Sequence, residues 1–430
     1  MAKLRVGIAG LGTVGAGVVK LFAGGHARLC DKLDLVAVSA RDRTRSRGVD
    51  LSAYRWVDDP VALAADPSID IFVELMGGAE GTAKAAVETA LSRGAHVVTA
   101  NKALLALHGA RLAQLSEKHG GKLLFEAAVG GGVPMVKALK EAVAGCRAHA
   151  VTGILNGTCN YILTEMEASG RSFADVLAEA QRLGYAEADP TTDVGGFDAA
   201  HKLTILSAIA FGTLPDYDHV RIEGIERVSR TDIQMAGKLG YRIKLIAKGA
   251  LTEQGVEMHV RPALLALDHP LANVNGSLNA LVVDAEPAGQ LTFIGRGAGE
   301  GPTAASVASD LIELAEGRAG YPFARPLAQL ASPPRATPAE RGRYYVRLMV
   351  IDRPGVVAAI SDRLAHEQIS IESFLQMPAG EEPAVPIVLT TQACARAPVE
   401  AALKAIQALD VTTEAPYLMP VEQPAVRFGR

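Results

Sequence analysis

The stretch LRVGIAGLGTVGAGVVKLF, Leu4 to Phe22, decides how the chain begins to fold. An apolar run with strand character is interrupted by Gly10, Gly12 and Gly15 in GxGxxG spacing, then resumes as a helical pattern. That order turns the backbone tightly at a strand end and brings a pyrophosphate to a helix N-terminus. A glycine turn without a ligand is the plain alternative, and the position between strand and helix favours the nucleotide. Outward from this unit, LDLVAVSA, IDIFVEL, AHVVTA and KLLFEAAV recur between Ala-rich amphipathic stretches. This is the rhythm of βαβ units around a parallel sheet. Residues 1–132 therefore read as a Rossmann-like nucleotide-binding domain in an α/β chain.

With 430 residues the chain is long enough for two or three domains. A formal net charge of -4 with dispersed cations gives no broad field for nucleic acid, which is not expected as a partner. No apolar run approaches the ~20 residues needed to span a bilayer, and MAKLRVGIAG enters a strand pattern without a secretory signal, so no membrane partner is expected. Cys30, Cys146, Cys159 and Cys394 are isolated, with no CxxC pair. A reduced, cytoplasmic protein without structural zinc is the expectation.

Several strand ends carry candidate chemistry. LDLVAVSA is followed by Arg41, with Arg43, Arg45 and Arg47 close behind. An acid near this strand end usually serves the ribose hydroxyls of NAD, whereas arginine accepts the 2′-phosphate of NADP; Arg41 favours NADP over NAD, a solvated basic loop being the plain alternative, and Asp42 lies nearby. Lys102, after AHVV, lies at the sheet edge where such folds bind ligands, and a surface lysine is its bland reading. LFEAAVGGGVP reads as a strand ending in a glycine loop, where Glu126 and exposed carbonyls could hold a hard cation or Glu126 could simply be hydrogen-bonded. In GRGAGEGPTAASVASDL, Gly297, Gly299 and Gly301 precede a helix with Pro302 in its first turn.

A middle region, 133–320, mixes helical patterns with strands such as YRIKLIAKGAL and LNALVVDA and is expected to supply substrate-binding and dimerisation surfaces, its last helix returning to the first domain. Proline-rich SPPRATPAE marks a linker at 332–342. Beyond it, 343–430 reads as βαββα with a final strand expected near Val411.

The stretch AQRLGYAEADPTTDVGGFDAAHKLTIL, Ala180 to Leu206, is the densest in ionisable groups. A helix starting near Phe197 sets Asp198 and Lys202 at i and i+4 on one face. A solvent-exposed bridge is the usual meaning of that spacing, but LTILSAIAF looks buried all round and makes both groups tunable. Glu187, Asp189 and Asp193 crowd just upstream; each reads as a turn or cap residue alone, and together they suit a substrate ammonium.

Taken together, AxxxGYAEADPxxDVxGxDxxxK, with GLGTVG, TANKALLA, FEAAVGGGVP, GILNGTCNYIL and GRGAGEGPTA in order, resembles the homoserine dehydrogenase family over residues 1 to 320. DRPGVVAAISDRLAHEQISI resembles an ACT domain, a regulatory βαββαβ module, and there is no kinase segment. The resemblance implies NAD(P)H-dependent interconversion of L-aspartate 4-semialdehyde and L-homoserine, on the route to threonine, methionine and isoleucine. It implies Lys202 as general acid, Asp198 as the carboxylate contacting substrate and lysine, and Glu187 as binder of the substrate's amino end. Cofactor contacts fall by the same match on Leu11, Thr13, Val14, Lys102, Gly184 and Gly301. Glu126 with the carbonyls of Val129, Gly131 and Val133 resembles the family's monovalent cation site, usually assigned to Na+. Threonine is the implied effector and a homodimer or homotetramer the implied assembly. Cys159 and Glu300 depart from the pattern, where threonine and glycine are common. Two other readings stay open: a nonenzymatic amino-acid or redox sensor, against which Asp198 and Lys202 argue, and another ACT-linked dehydrogenase, which would use a histidine base.

Overall fold

The structure is a computed structural model that describes residues 3–332, 341–376 and 384–422. Most of the expected linker, 333–340, and the end of the expected terminal module, 423–430, lie outside the described residues. The first sheet holds β1 (Leu4–Ala9), β2 (Leu33–Ser39), β3 (Arg55–Trp56), β4 (Ile71–Glu74), β5 (His96–Thr99) and β6 (Leu123–Leu124). All its pairings are parallel, in the order β3-β2-β1-β4-β5-β6. Val6, Ile8, Ile71, Val73, Val97 and Val98 are fully buried, because helices cover both faces of a parallel sheet. The strand order reverses between β1 and β4, which opens a crevice at their carboxyl ends. KLLFEAAV does not continue as a strand: pairing stops at Leu124 and Glu126–Ala128 forms a 3-10 turn. There the Glu126 carboxylate accepts the backbone N–H groups of Val136 and Lys137, which pulls the chain out of the sheet plane.

The second sheet is built from β7 (Arg147–Ile154), β8 (Arg221–Ile222), β9 (Tyr241–Thr252), β10 (Gly255–Ala266), β11 (Leu278–Glu286), β12 (Gly289–Arg296), β13 (Arg341–Ile351), β14 (Ile371–Gln376), β15 (Ala384–Thr391), β16 (Cys394–Ala395) and β17 (Tyr417–Glu422). Its order is β12-β11-β7-β9-β10-β17-β13-β15-β14, with β8 on β10 and β16 on β13. The long apolar helix Phe197–Phe211 packs under β7, β9 and β10 and against helix Lys102–His119 of the first sheet. Its residues from Leu203 to Ile209 are all buried, as expected of a helix apolar on every side. Helix Glu300–Ala315 packs on helix Thr13–Ala23, where Val307 and Leu311 share a core with Val18 and Ile8.

The terminal module runs β13, helix Val356–His366, β14, β15, helix Arg396–Gln407 and β17. The last strand is not near Val411 but at Tyr417–Glu422. Val411 is buried against the module's own core, and its carbonyl accepts the Ile351 N–H as the chain crosses the end of β13. β17 then lies antiparallel to β13 and parallel to β10, joining the module to the middle region in one sheet. No described helix is long and apolar enough to cross a membrane.

Candidate active site

At the end of β1, Gly10 holds φ +100°, and a Cβ there would run into the Leu75 carbonyl. A Cβ on Gly15 would collide with the Gly10 carbonyl, whereas one on Gly12 would meet nothing within 4 Å. Gly10 and Gly15 thus serve close packing, and Gly12 leaves an open face above which a pyrophosphate fits. A cavity of about 330 Å³ lies elsewhere, at the terminal module; the one beside Gly12 is about 730 Å³. The larger is lined by Gly10, Leu11, Gly12, Ser39, Arg41 and Arg45, among others, a size and lining that suit a nucleotide. Thr13 and Val14 open the adjoining helix, and the Leu11 carbonyl accepts Arg47 Nε at 3.1 Å.

Two features of this cavity bear on the adenosine end. Asp42 turns its carboxylate into its own loop, accepting the Thr44 N–H at 2.8 Å, the Thr44 hydroxyl at 2.7 Å and the Arg45 N–H at 3.2 Å. Ser39, where sequence reading assigned nothing, ends β2 with a hydroxyl that is buried and has no partner among the described residues. Only its burial in the cavity wall gives it away, since a serine at a strand end carries no motif. Gly184, at φ +77°, and Gly301, in the first turn of helix Glu300–Ala315, are exposed and do not line this cavity. Glu300, which departs from the family pattern, reaches Lys20 on the first helix at 2.7 Å.

The second constellation sits where helices Phe197–Phe211 and Lys102–His119 meet. Asp198 is 6% exposed and Lys202 8%. Lys202 Nζ donates to Asp198 Oδ2 at 2.8 Å and to the Leu155 carbonyl at 2.8 Å. Lys102, taken from sequence as a cofactor contact, pairs with Asp198 Oδ1 at 3.0 Å. Burial pushes the Asp198 carboxyl up, but the ammoniums of Lys202 and Lys102 outweigh it and hold it well below the usual carboxylate range. Asp198 in turn raises Lys102 above the ordinary lysine value. Asp198 holds two ammonium groups together where an oxygen turning into an alkoxide would be stabilised, with the acids Asp193 and Glu187 also in their field. Glu187 is exposed, and its charge adds to the field that raises Lys102. Asp193 is half-buried and raised by that burial, and Asn156, quoted from sequence without a role, stands between it and Asp198. Cys159, in the variant NGTCN, is buried with Sγ donating to the Asp193 carbonyl at 3.1 Å.

The expected cation ligands lie elsewhere, in and just after the 3-10 turn that follows β6. Besides Val136 and Lys137 on the Glu126 carboxylate at 3.0 and 2.7 Å, the Gly131 carbonyl accepts the Ser306 hydroxyl and the Val133 carbonyl the Met135 N–H at 2.8 Å. Burial and the neighbouring Asp310 push Glu126 up to about 7, and burial pushes Asp310 up to about 6, although Lys137 pairs with Asp310 at 3.1 Å and Glu313 at 2.9 Å. A surplus of buried acid beside carbonyl oxygens suits a cation. Among the described residues no group of three or more His, Cys, Asp or Glu is set to hold a metal, so such an ion would rest largely on carbonyls.

A parallel nucleotide-binding sheet whose carboxyl edge meets a buried acid shared by two lysines defines a nicotinamide-dependent oxidoreductase. The family profile described as "Homoserine dehydrogenase, NAD binding domain" matches residues 10–126, that described as "Homoserine dehydrogenase" matches 134–312, and that of the ACT domain matches 344–411. Homoserine dehydrogenase of Pseudomonas aeruginosa is 41% identical over 98% of this chain and 100% of its own length, and that of Neisseria gonorrhoeae 40% identical over 95% and 96%. The crystal structure of a homoserine dehydrogenase from Thiobacillus denitrificans superposes with TM-score 0.91 at 39% identity, covering 98% of this chain and 99% of that one. A hyperthermophilic archaeal homoserine dehydrogenase in complex with NADPH aligns with 72% of this chain and 97% of its own, with TM-score 0.63 and 26% identity. The chain belongs to the homoserine dehydrogenase family, in its form with a C-terminal ACT domain. It is an NAD(P)-dependent oxidoreductase that interconverts L-aspartate 4-semialdehyde and L-homoserine.

Proposed function

We propose that Lys202 is the general acid of aldehyde reduction and that Asp198 holds it in place while contacting the substrate. The observation that carries this reading is the Lys202–Asp198–Lys102 arrangement, with contacts of 2.8 and 3.0 Å, in which Asp198 and Lys202 are buried and Lys102 reaches in from a partly exposed position. The bound nicotinamide supplies the hydride. Lys202 gives its proton to the developing alkoxide and takes one back in the reverse direction. Lys102 adds positive charge beside Asp198 and stands at the sheet edge, so it serves substrate as well as cofactor. Glu187, with Asp193, receives the substrate's ammonium. Gly10, Leu11, Gly12, Thr13, Val14 and Gly15 cradle the pyrophosphate, with Gly184 and Gly301 as further cofactor contacts.

NADP is the preferred cofactor. Arg41 on the cavity wall, the unpartnered Ser39 hydroxyl and the self-engaged Asp42 carboxylate all favour a 2′-phosphate over free ribose hydroxyls. Glu126 with the carbonyls of Val129, Gly131 and Val133 binds a monovalent cation, Na+. The functional division is 1–132 for nucleotide, 133–320 for catalysis and dimerisation, 332–342 as linker and 343–430 for regulation, with threonine as effector. The assembly is a homodimer or homotetramer acting in the cytoplasm, in keeping with four free cysteines. The test is homoserine-dependent formation of NADPH and NADH, each with and without threonine. Faster turnover with NADP and inhibition by threonine are expected; equal turnover with both cofactors would overturn the NADP preference.

A further inference from the structure

Asn156 ends the segment after β7 and is 4% exposed. A side-chain amide has two N–H donors and one acceptor oxygen, and every one of these is engaged here. Its Oδ1 accepts the Cys159 N–H at 2.8 Å and caps helix Gly157–Ser169. That contact fixes which way the amide points, because only oxygen can accept it. The Nδ2 group therefore faces the two acids, donating to Asp193 Oδ1 at 2.8 Å and to Asp198 Oδ2 at 3.0 Å. Asp198 Oδ2 is the same oxygen that accepts from Lys202. The preceding residue, Leu155, supplies the second acceptor for Lys202 through its carbonyl. Residues 155 and 156 thus hold the lysine and the two acids from one turn of backbone.

We propose that Asn156 is a positioning residue of the reaction, a neutral bridge that keeps Asp193 and Asp198 at a fixed separation and aims Asp198 at Lys202. This rests on the assignment of Lys202 and Asp198 to the chemistry. Two carboxylates this close repel, and burial favours their neutral forms. A cation between them would compete with Lys202 for Asp198, and a third acid would add to the repulsion. A neutral double donor avoids both. The charged and titratable groups around the bridge are Asp193, Asp198, Lys202, Lys102 and the Cys159 thiol, and His201, Glu187 and Glu226 also interact with members of this cluster. Hydrogen bonds given to a carboxylate favour its ionised form, so losing the bridge raises the pKa of both acids. Asp193, already raised by burial, then carries the acid limb of the rate profile to higher pH.

Asn156→Ser separates this role from the helix cap, since serine still accepts the Cys159 N–H but offers one short donor in place of two. In the full-length enzyme, N156S is expected to retain NADPH affinity, read by cofactor fluorescence, and a melting temperature close to the parent's. Its kcat should fall about tenfold or more, with the acid limb displaced upward by about one pH unit. Asn156→Asp keeps the cap and replaces the donors by a third acid; its loss at neutral pH should exceed that of N156S. An unmoved acid limb in N156S, or a loss of rate that only follows a loss of folded protein, overturns the proposal. Lys202→Met run alongside distinguishes the two readings. Parental turnover in K202M would reject the lysine as proton donor, whereas the acid-limb comparison still reports on Asn156 through Asp193 and Asp198.

Discussion

Lys202 has its ammonium committed to two acceptors, Asp198 and the Leu155 carbonyl, in a buried setting. Truncation to alanine removes the proposed proton donor but leaves Asp198 paired with Lys102, so the fold has no orphaned charge to accommodate. Lys202→Ala is therefore expected to lower kcat by about 10²- to 10⁴-fold with NADPH binding and folding retained. Steady-state rates and cofactor titration check this, and parental turnover would end the assignment. Arg41 makes a separate prediction at the far end of the cofactor. Removing one charge-assisted contact to a 2′-phosphate costs ~1.5 to 3 kcal/mol, so Arg41→Ala should lower kcat/KM for NADPH by about tenfold or more. The value for NADH should hardly change. An equal fall for both cofactors would place Arg41 outside phosphate recognition.

β17 is the element on which the two halves of the large sheet depend. It lends its edges to β10 and β13, and Glu422 at its end is buried against Lys248 at 2.7 Å. Beside it Asp232 is fully buried, accepting the Tyr345 hydroxyl and Arg347 Nε at 2.9 Å each and the Ser229 N–H at 2.8 Å. Removing 341–430 would strip β10 of a neighbour, Asp232 of Tyr345 and Arg347, and Lys248 of Glu422, so a truncated enzyme should be less stable than the parent. A point substitution is the cleaner probe of the seam. Asp232→Ala leaves nearly buried Arg347 with only the exposed Glu414, at 3.6 Å, as an acid partner and should cost about 3 to 5 kcal/mol in denaturant unfolding. The turnover of the folded fraction should survive, while the inhibition by threonine proposed above should weaken. Unchanged stability would mean that the seam carries little of the coupling.

Over the whole molecule, stability should depend on pH through the acids beside the expected cation ligands. Glu126 rises from 4.5 to about 7 and Asp310 from 3.8 to about 6 on folding. A group whose folded pKa lies above its unfolded value contributes stability that is complete below the unfolded value and lost as pH rises through the folded one. Without Na+, the melting temperature should fall between about pH 5 and pH 8. A bound cation favours the ionised acids, so Na+ should stabilise more at pH 8 than at pH 5. Equal stabilisation at both ends, measured against choline at matched ionic strength, would argue against a cation at this position.

Much of the enzyme is written locally. The GxGxxG turn between β1 and its helix, the βαβ rhythm, and the i, i+4 pair of Asp198 and Lys202 all depend on residues near in sequence, where period and spacing are readable. The approach of Lys102 to Asp198, the amide bridge from Asn156 and the place of buried Ser39 in the wall of the cavity beside Gly12 join segments far apart in the chain. Nothing in their own neighbourhoods marks them, because a hydrogen bond across a fold imposes no pattern on either strand or helix that supplies it. The same holds for the early end of the KLLFEAAV strand and for β17 at Tyr417–Glu422 in place of a strand near Val411. Sequence by itself determined most of the elements, the glycine loop and the i, i+4 pair of Asp198 and Lys202; tertiary structure decided which distant groups meet that pair and that the ACT module shares a sheet with the middle region, since those outcomes depend on long-range pairing of buried backbone and charge.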